Sequence, residues 1–326
     1  MKIVFHYDAG PALAARLDAF AADGLHVDVC PVADAGRFKS LMQEAEILWH
    51  VLEPVTETVI DFSPKLKLIQ KFGVGLNTID LEAAKARNIA VSNLPGTNSR
   101  AVAELTLALM LAALRRIPAF DKATRAGQGW SWDPALQDSL GEIHGRTIGL
   151  VGYGAVPRIL APILKAMGAE VLYTARTAKP DAQGQFCPLE ELIARSDIVS
   201  LHVPLTAETE GMLGADAIAA MKPGAILINT ARGGLVDNDA LAAALRDGHL
   251  AAAGLDTFAA EPVDPADPLL ALDNIMLTPH VAWLTPETID RSLEIAVYNV
   301  RRLAAGEALH NQVAWERSLA APLCRQ

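Results

Sequence analysis

With 326 residues, of which 51% are hydrophobic and 20% charged, the chain can form two domains around sizeable cores, and disorder is excluded. A net charge of −10 argues against a nucleic-acid or anionic-membrane partner, so an anionic ligand must be held by local basic groups. Cys30, Cys187 and Cys324 lie far apart without CxxC spacing, which fits a reducing cytoplasm and excludes a disulfide framework or a zinc site. No apolar run reaches the ~20 residues of a membrane span.

Met1–Phe5 reads as a first strand rather than a signal peptide. Short apolar runs then alternate with helical periods, the pattern of parallel strands in an α/β protein. The first strands are expected at Ile3–Tyr7, His26–Val32, Ile47–His50, Leu68–Phe72 and Ile89–Ser92, with helices that include Ala12–Ala21 and Leu81–Ala86. The breaker-rich Asn93–Asn98 precedes a long helix from about Ser99 to Ile117, where the chain crosses into a second domain. A polar loop, Gly127–Leu140, leads into strands at Thr147–Val151, Glu170–Thr174, Ile198–His202, Ala225–Asn229, Ala252–Leu255 and Ile275–Thr278. Six such strands make a doubly wound sheet, and the last helix, Pro286–Ala305, has no strand after it and is expected to return to the first domain. The expectation is two doubly wound α/β domains. A central Rossmann dinucleotide-binding domain takes 98–284, and a discontinuous flavodoxin-like substrate domain takes 1–97 and 285–326.

Gly152-Tyr153-Gly154-Ala155-Val156-Pro157 follows a strand and opens a helix. In that context the first glycine permits the turn and the second lets backbone N–H groups approach a pyrophosphate at the helix end. Pro157 stands where a third glycine is usual and can hold the helix off the sheet; Pro162, deeper in, is expected to kink it. The second strand ends in Tyr173-Thr174-Ala175-Arg176-Thr177, with no acid to bond a ribose 2′-hydroxyl. Arg176 can instead pair with a 2′-phosphate, which favours NADP(H) over NAD(H), although a solvated loop arginine would look the same.

Arg232, Glu261 and His280 each follow a strand of the second domain, at the carboxyl ends that face a ligand crevice. Reduction of a 2-oxo acid needs a cation for the carboxylate and an acid for the carbonyl oxygen, and a carboxylate beside an imidazole supports the second task. Taken singly, each reads equally well as a solvated arginine, a turn glutamate or a core histidine.

Gly73–Asp80, Asn93–Gly96, Ala101–Glu104, the Gly152 loop, His202–Thr206, Ala231–Asp237, Gly254–Asp256, Glu261-Pro262 and Pro279-His280 together resemble the D-isomer-specific 2-hydroxy acid dehydrogenase family, in the family's order over nearly the whole chain. The resemblance implies that Arg232 clamps the substrate carboxylate, that His280 is the general acid/base and that Glu261 is its partner. It places the backbone of Val74 and Gly75 on the same carboxylate, and Thr230, Ala231, Asp256 and His280 near the nicotinamide. His202, Val203 and Pro204 lie along the cofactor, and Thr106 looks similar to a cofactor-contacting position. Asn77 departs from the family's usual Asp. The Tyr173–Arg176 segment is similar to NADP-using glyoxylate/hydroxypyruvate reductases. Trp283 reads as a cap on a small pocket, or equally as hinge packing or a dimer contact. His50, Val51 and Leu52 are candidates for the substrate pocket, with plain strand termination as the alternative.

A small 2-oxo/2-hydroxy acid substrate, a cleft that closes on it and a homodimer follow from the resemblance, with the two tryptophans of Gly127–Leu140 (Trp130 and Trp132) as a candidate contact. The rivals are an NAD-dependent glycerate or phosphoglycerate dehydrogenase and a nucleotide-sensing co-repressor-like protein; no regulatory domain or partner-binding tail is expected after residue 326. The three cysteines, Trp315 and Glu316–Gln326 carry no functional signal.

Overall fold

A computed structural model describes residues 1–132 and 134–313; Cys324, Trp315 and the segment 316–326 lie outside the described residues. The chain folds as two compact units, Met1–Thr97 with residues 286–313, and Asn98–Thr285.

The first unit runs β1 (Lys2–His6), α1 (Pro11–Ala19), β2 (His26–Cys30), α2 (Ala35–Met42), β3 (Ile47–His50), α3 (Glu57–Asp61), β4 (Leu68–Lys71), α4 (Leu81–Ala86) and β5 (Ala90–Ser92). These strands form one parallel sheet in the order β2-β1-β3-β4-β5. Strands buried on both faces read as unbroken apolar runs, which is why β3, Ile-Leu-Trp-His, is buried at every position. Val4, Leu48, Ile69 and Val91 pack on one face with Phe38 and Met42 of α2 and with Ala83 and Ala84 of α4.

The second unit runs α5 (Ser99–Arg115), α6 (Ile117–Arg125), β6 (Thr147–Val151), α7 (Ala155–Ala166), β7 (Glu170–Thr174), β8 (Gln185–Phe186), α8 (Leu189–Arg195), β9 (Ile198–Leu201), α9 (Ala215–Ala219), β10 (Ala225–Asn229), α10 (Asn238–Arg246), β11 (Leu250–Leu255) and β12 (Ile275–Leu277). Its sheet, also parallel, has the order β12-β11-β10-β9-β6-β7-β8. The order reverses between β9 and β6, the switch point where such sheets take ligands. One face is covered by α5 and α7 through Leu109, Met110, Leu160 and Leu164, the other by α8, α9 and α10 through Leu192, Ile218, Leu241 and Leu245. Each such side chain contributes ~1.5–3 kcal/mol on burial.

The sequence expectation differs from the structure in two places. A seventh strand, β8, pairs on the outer edge of β7; its two residues are exposed and give no apolar run. The long helix ends at Arg115, because Arg116 adopts a left-handed backbone (φ 47°) and Ile117-Pro118 starts the separate α6. Helix α7 is continuous through Pro162, and Pro157 is buried in its first turn.

The last helix, α11 (Pro286–Ala305), belongs to the first unit. Asn299 of α11 donates to Gln70 Oε1 at 2.7 Å and to Ser92 Oγ at 3.1 Å, so it covers the sheet face opposite Val4 and Leu48. Among the described residues no helix is long and apolar enough to cross a membrane.

Candidate active site

The phosphate loop sits where β6 ends. Gly152 has φ +97°, and a Cβ there would lie 2.6 Å from the His202 carbonyl oxygen and 3.0 Å from Val203 Cγ1. Only glycine allows β6 to turn this close to the strand-end segment His202–Pro204. Gly154 caps α7 with no side-chain bond, and a Cβ on it would meet nothing within 4 Å. The N-terminus of a 12-residue helix, with the backbone of Ala155 and Val156 at its head and open space before it, fits the pyrophosphate of a dinucleotide. Tyr153 contributes backbone only: its ring is buried, packs 4.4 Å from Tyr173, and its hydroxyl accepts from Gln183 N at 2.6 Å.

At the tip of β7, Arg176 is exposed and has no ion-pair partner among the described residues. Thr177 Oγ1 accepts from Lys179 Nζ at 3.2 Å, so a second cation stands beside Arg176. Lys179 was missed in the sequence, although a base three residues after Arg176 was signal enough. His202 Nε2 bonds Ser200 Oγ at 2.9 Å, and burial pushes its pKa down to about 3. Thr106 on α5 and Thr230 after β10 are brought together, their hydroxyls 2.8 Å apart.

Arg232, Glu261 and His280 follow the adjacent strands β10, β11 and β12. Arg232 is held by its backbone: Asn229 Nδ2 donates to Arg232 O at 2.8 Å while Asn229 Oδ1 accepts from Ala231 N at 3.0 Å. Asn229, the buried last residue of β10, gave no sequence signal, since its task depends on the turn that follows. Gly233 lets this turn reach the next loop; a Cβ on it would overlap the backbone of Phe258 and Ala259. Burial lowers the Arg232 pKa, and the Glu261 charge opposes that shift, which places the two groups within electrostatic reach.

His280 Nδ1 lies 2.6 Å from Glu261 Oε2, and Phe258 N donates to Glu261 Oε1 at 2.9 Å. Burial alone would raise the Glu261 pKa. The hydrogen bonds from His280 and Phe258 N–H, with the charges of His280 and Arg232, outweigh burial and hold it below the usual carboxylate range. An ionised Glu261 can only accept, so Nδ1 carries the hydrogen and points Nε2 away; Nε2 has no partner among the described residues.

The His280 backbone is left-handed (φ 54°), a conformation that costs a non-glycine residue roughly 1–2 kcal/mol. Asp256 holds it there. The Asp256 carbonyl accepts from His280 N at 2.7 Å, and its carboxylate takes Thr278 Oγ1 at 2.6 Å, Val281 N at 2.9 Å and Ala282 N at 3.0 Å. Burial raises the Asp256 pKa against those bonds. Trp283 Nε1 donates to His280 O at 3.1 Å, which anchors that ring on the same loop.

Val74, Gly75 and Leu52 belong to the first unit, at the carboxyl ends of β4 and β3; Val74 and Leu52 are 46% and 39% exposed.

A glycine turn at a helix head on a doubly wound sheet, with a cation and a carboxylate–imidazole pair at neighbouring strand ends, defines a nicotinamide-dependent oxidoreductase. The chain belongs to the D-isomer specific 2-hydroxyacid dehydrogenase family, whose NAD binding domain matches residues 107–282. It is 40% identical to the glyoxylate reductase of Korarchaeum cryptofilum over 81% of each chain. It is 38% identical to the D-3-phosphoglycerate dehydrogenase of Mycobacterium bovis, covering 92% of this chain and 57% of that one. The crystal structure of the TT0316 protein from Thermus thermophilus superposes with a TM-score of 0.87 at 39% identity, covering 96% of this chain and all of the other.

Proposed function

We propose that the chain is an NADPH-preferring reductase of small 2-oxo acids, glyoxylate and hydroxypyruvate foremost. The observation that carries this reading is the 2.6 Å Glu261–His280 pair, with Nε2 unbonded among the described residues, within electrostatic reach of Arg232. The glyoxylate reductase of Korarchaeum cryptofilum supports the substrate class.

Residues 98–284 act as the dinucleotide domain, and residues 1–97 with 285–326 as the acid-binding domain. The backbone N–H groups at Gly154–Val156 take the pyrophosphate, and His202–Pro204, Thr106, Thr230, Ala231 and Asp256 border the nicotinamide half. When bound, the reduced nicotinamide supplies a hydride. Arg232 binds the carboxylate of the oxo acid through its planar guanidinium; in the first unit, the Val74 and Gly75 amides are read as donors to a carboxylate. His280 Nε2 gives its proton to the carbonyl oxygen, while Glu261 keeps Nδ1–H in place and Asp256 keeps the loop in its strained form. Trp283, fixed on the His280 loop, caps the acid and limits its size.

Arg176 with Thr177 and Lys179 reads a ribose 2′-phosphate. The likeness to the mycobacterial D-3-phosphoglycerate dehydrogenase supports a second reading, an NAD-dependent dehydrogenase; the exposed Arg176, without an ion-pair partner among the described residues, weighs against it. The enzyme works in the cytoplasm, where buried, unpaired Cys30 and Cys187 stay reduced, and as a homodimer with the exposed Trp130 and Trp132 at the subunit contact.

The test is NADPH oxidation with glyoxylate, hydroxypyruvate, pyruvate and phenylpyruvate, repeated with NADH. Turnover of the first two with NADPH ahead of NADH is expected. Activity with NADH alone would overturn the cofactor preference, and silence on all four acids would overturn the reductase reading.

A further inference from the structure

The carboxyl end of the first unit's sheet carries a row of basic side chains that no motif announced. His6 on β1, His50 on β3 and Lys71 on β4 are register partners, so they stand side by side on one face. His50 is 1% exposed and Lys71 4%. A buried ammonium is costly unless it is well bonded. Lys71 Nζ donates to Val51 O and to Thr78 Oγ1, the latter at 3.3 Å. Val51 lies in the loop after β3 that contains Leu52, and Thr78 closes the turn that contains Val74 and Gly75. One side chain therefore braces both loops. Its stem lies against the backbone of Gly73, where a Cβ would be 3.5 Å from Lys71 Cε.

The turn itself is built with its carbonyls tied back. Leu94 N donates to Gly73 O at 2.9 Å, and Asn93 Nδ2 donates to Val74 O at 2.9 Å. The amides of Val74 and Gly75 have no acceptor among the described residues. Two consecutive free N–H groups make a concavity that suits one carboxylate. His50 does not compete for it as a charge. Burial, and then the Lys71 charge, push its pKa down to about 3, and its Nε2 is bonded to Glu53 O at 2.6 Å.

We propose that Lys71 is a positioning residue for the substrate carboxylate: its ammonium fixes the Val51 and Thr78 loops and places a buried positive charge behind the Val74 and Gly75 amides. This rests on the reading that those amides take the carboxylate of the oxo acid.

The experiment compares Lys71→Met, Lys71→Arg and Thr78→Val with the wild type in glyoxylate reduction. Lys71→Met is expected to raise KM for glyoxylate tenfold or more, with kcat within threefold and KM for NADPH within twofold. Lys71→Arg, which keeps the charge, should recover most of the loss, and Thr78→Val should raise the acid KM two- to fivefold. A folded Lys71→Met with an unchanged acid KM, or one that raises both KM values alike, overturns the proposal. If Lys71→Met does not fold, an unchanged acid KM in Thr78→Val overturns it. Wild-type silence on every oxo acid would instead remove the reductase reading. In that case oxalate affinity, measured calorimetrically, decides on Lys71, and equal affinity in wild type and Thr78→Val, or no binding to either, overturns it.

Discussion

Acid should destabilise this fold above the ordinary carboxylate range, and the size of the effect follows from two imidazoles. His50 and His202 are both held near pKa 3 by burial, against an ordinary 6.5 in the unfolded chain. A histidine whose folded pKa is depressed contributes stability that is fully present above 6.5 and is lost as pH falls from there toward 3. Between those limits the unfolded chain binds a proton that the fold refuses, at about 1.4 kcal/mol per pH unit. At pH 5 each imidazole therefore removes ~2 kcal/mol, and a folded value anywhere at or below ~4 gives the same figure. Burial depresses His6 in the same sense, whereas the raised Asp256 acts in the opposite one. Comparison with His50→Gln cancels both, and glutamine retains an N–H for Glu53 O. Urea unfolding at pH 7 and pH 5, followed by fluorescence of the buried Trp49 in the same unit, should show the wild type losing ~2 kcal/mol more than the variant. Equal losses would refute the reasoning.

Three further outcomes are expected. His280→Gln should cut kcat by ~10²–10⁴ while leaving NADPH affinity within about twofold, as read by fluorescence titration; retained turnover would remove His280 from the acid/base role. Arg176→Ala should raise KM for NADPH at least tenfold and barely move that for NADH, and equal shifts would discard the 2′-phosphate assignment. Gly233→Ala forces the Arg232 turn away from the Phe258–Ala259 backbone, so thermal unfolding should show a loss of ~1–3 kcal/mol together with reduced kcat/KM; an unchanged Tm would mean that the two loops separate freely.

The parallel core was legible because strands buried on both faces leave apolar runs such as Ala225–Asn229, and their ends fell within two residues of the structure. Short exposed pieces were not. Nothing in Gln185-Phe186 distinguishes an edge strand from a loop, while the break at Arg116 did have a signal, Pro118, that the apolar period of α5 overrode. Position and chemistry make Arg232, Glu261 and His280 candidates, and their expected roles come from the resemblance. Asn229, Asp256 and Lys71 could not be given their tasks, since each acts through backbone groups that only the folded turns bring within reach.

The return of α11 to the first unit also constrains synthesis. Gln70 and Ser92 leave the ribosome early, but the Asn299 amide that bonds both lies beyond the whole second unit. At ~5–20 residues per second, the nascent first sheet waits on the order of ten to forty seconds without α11 over the face that carries Phe5 and Trp49. The second unit, contiguous in sequence, can complete itself during that interval. Chaperone demand should therefore peak before residue 305 emerges, and truncations within α11 should aggregate through the first unit while residues 98–285 fold.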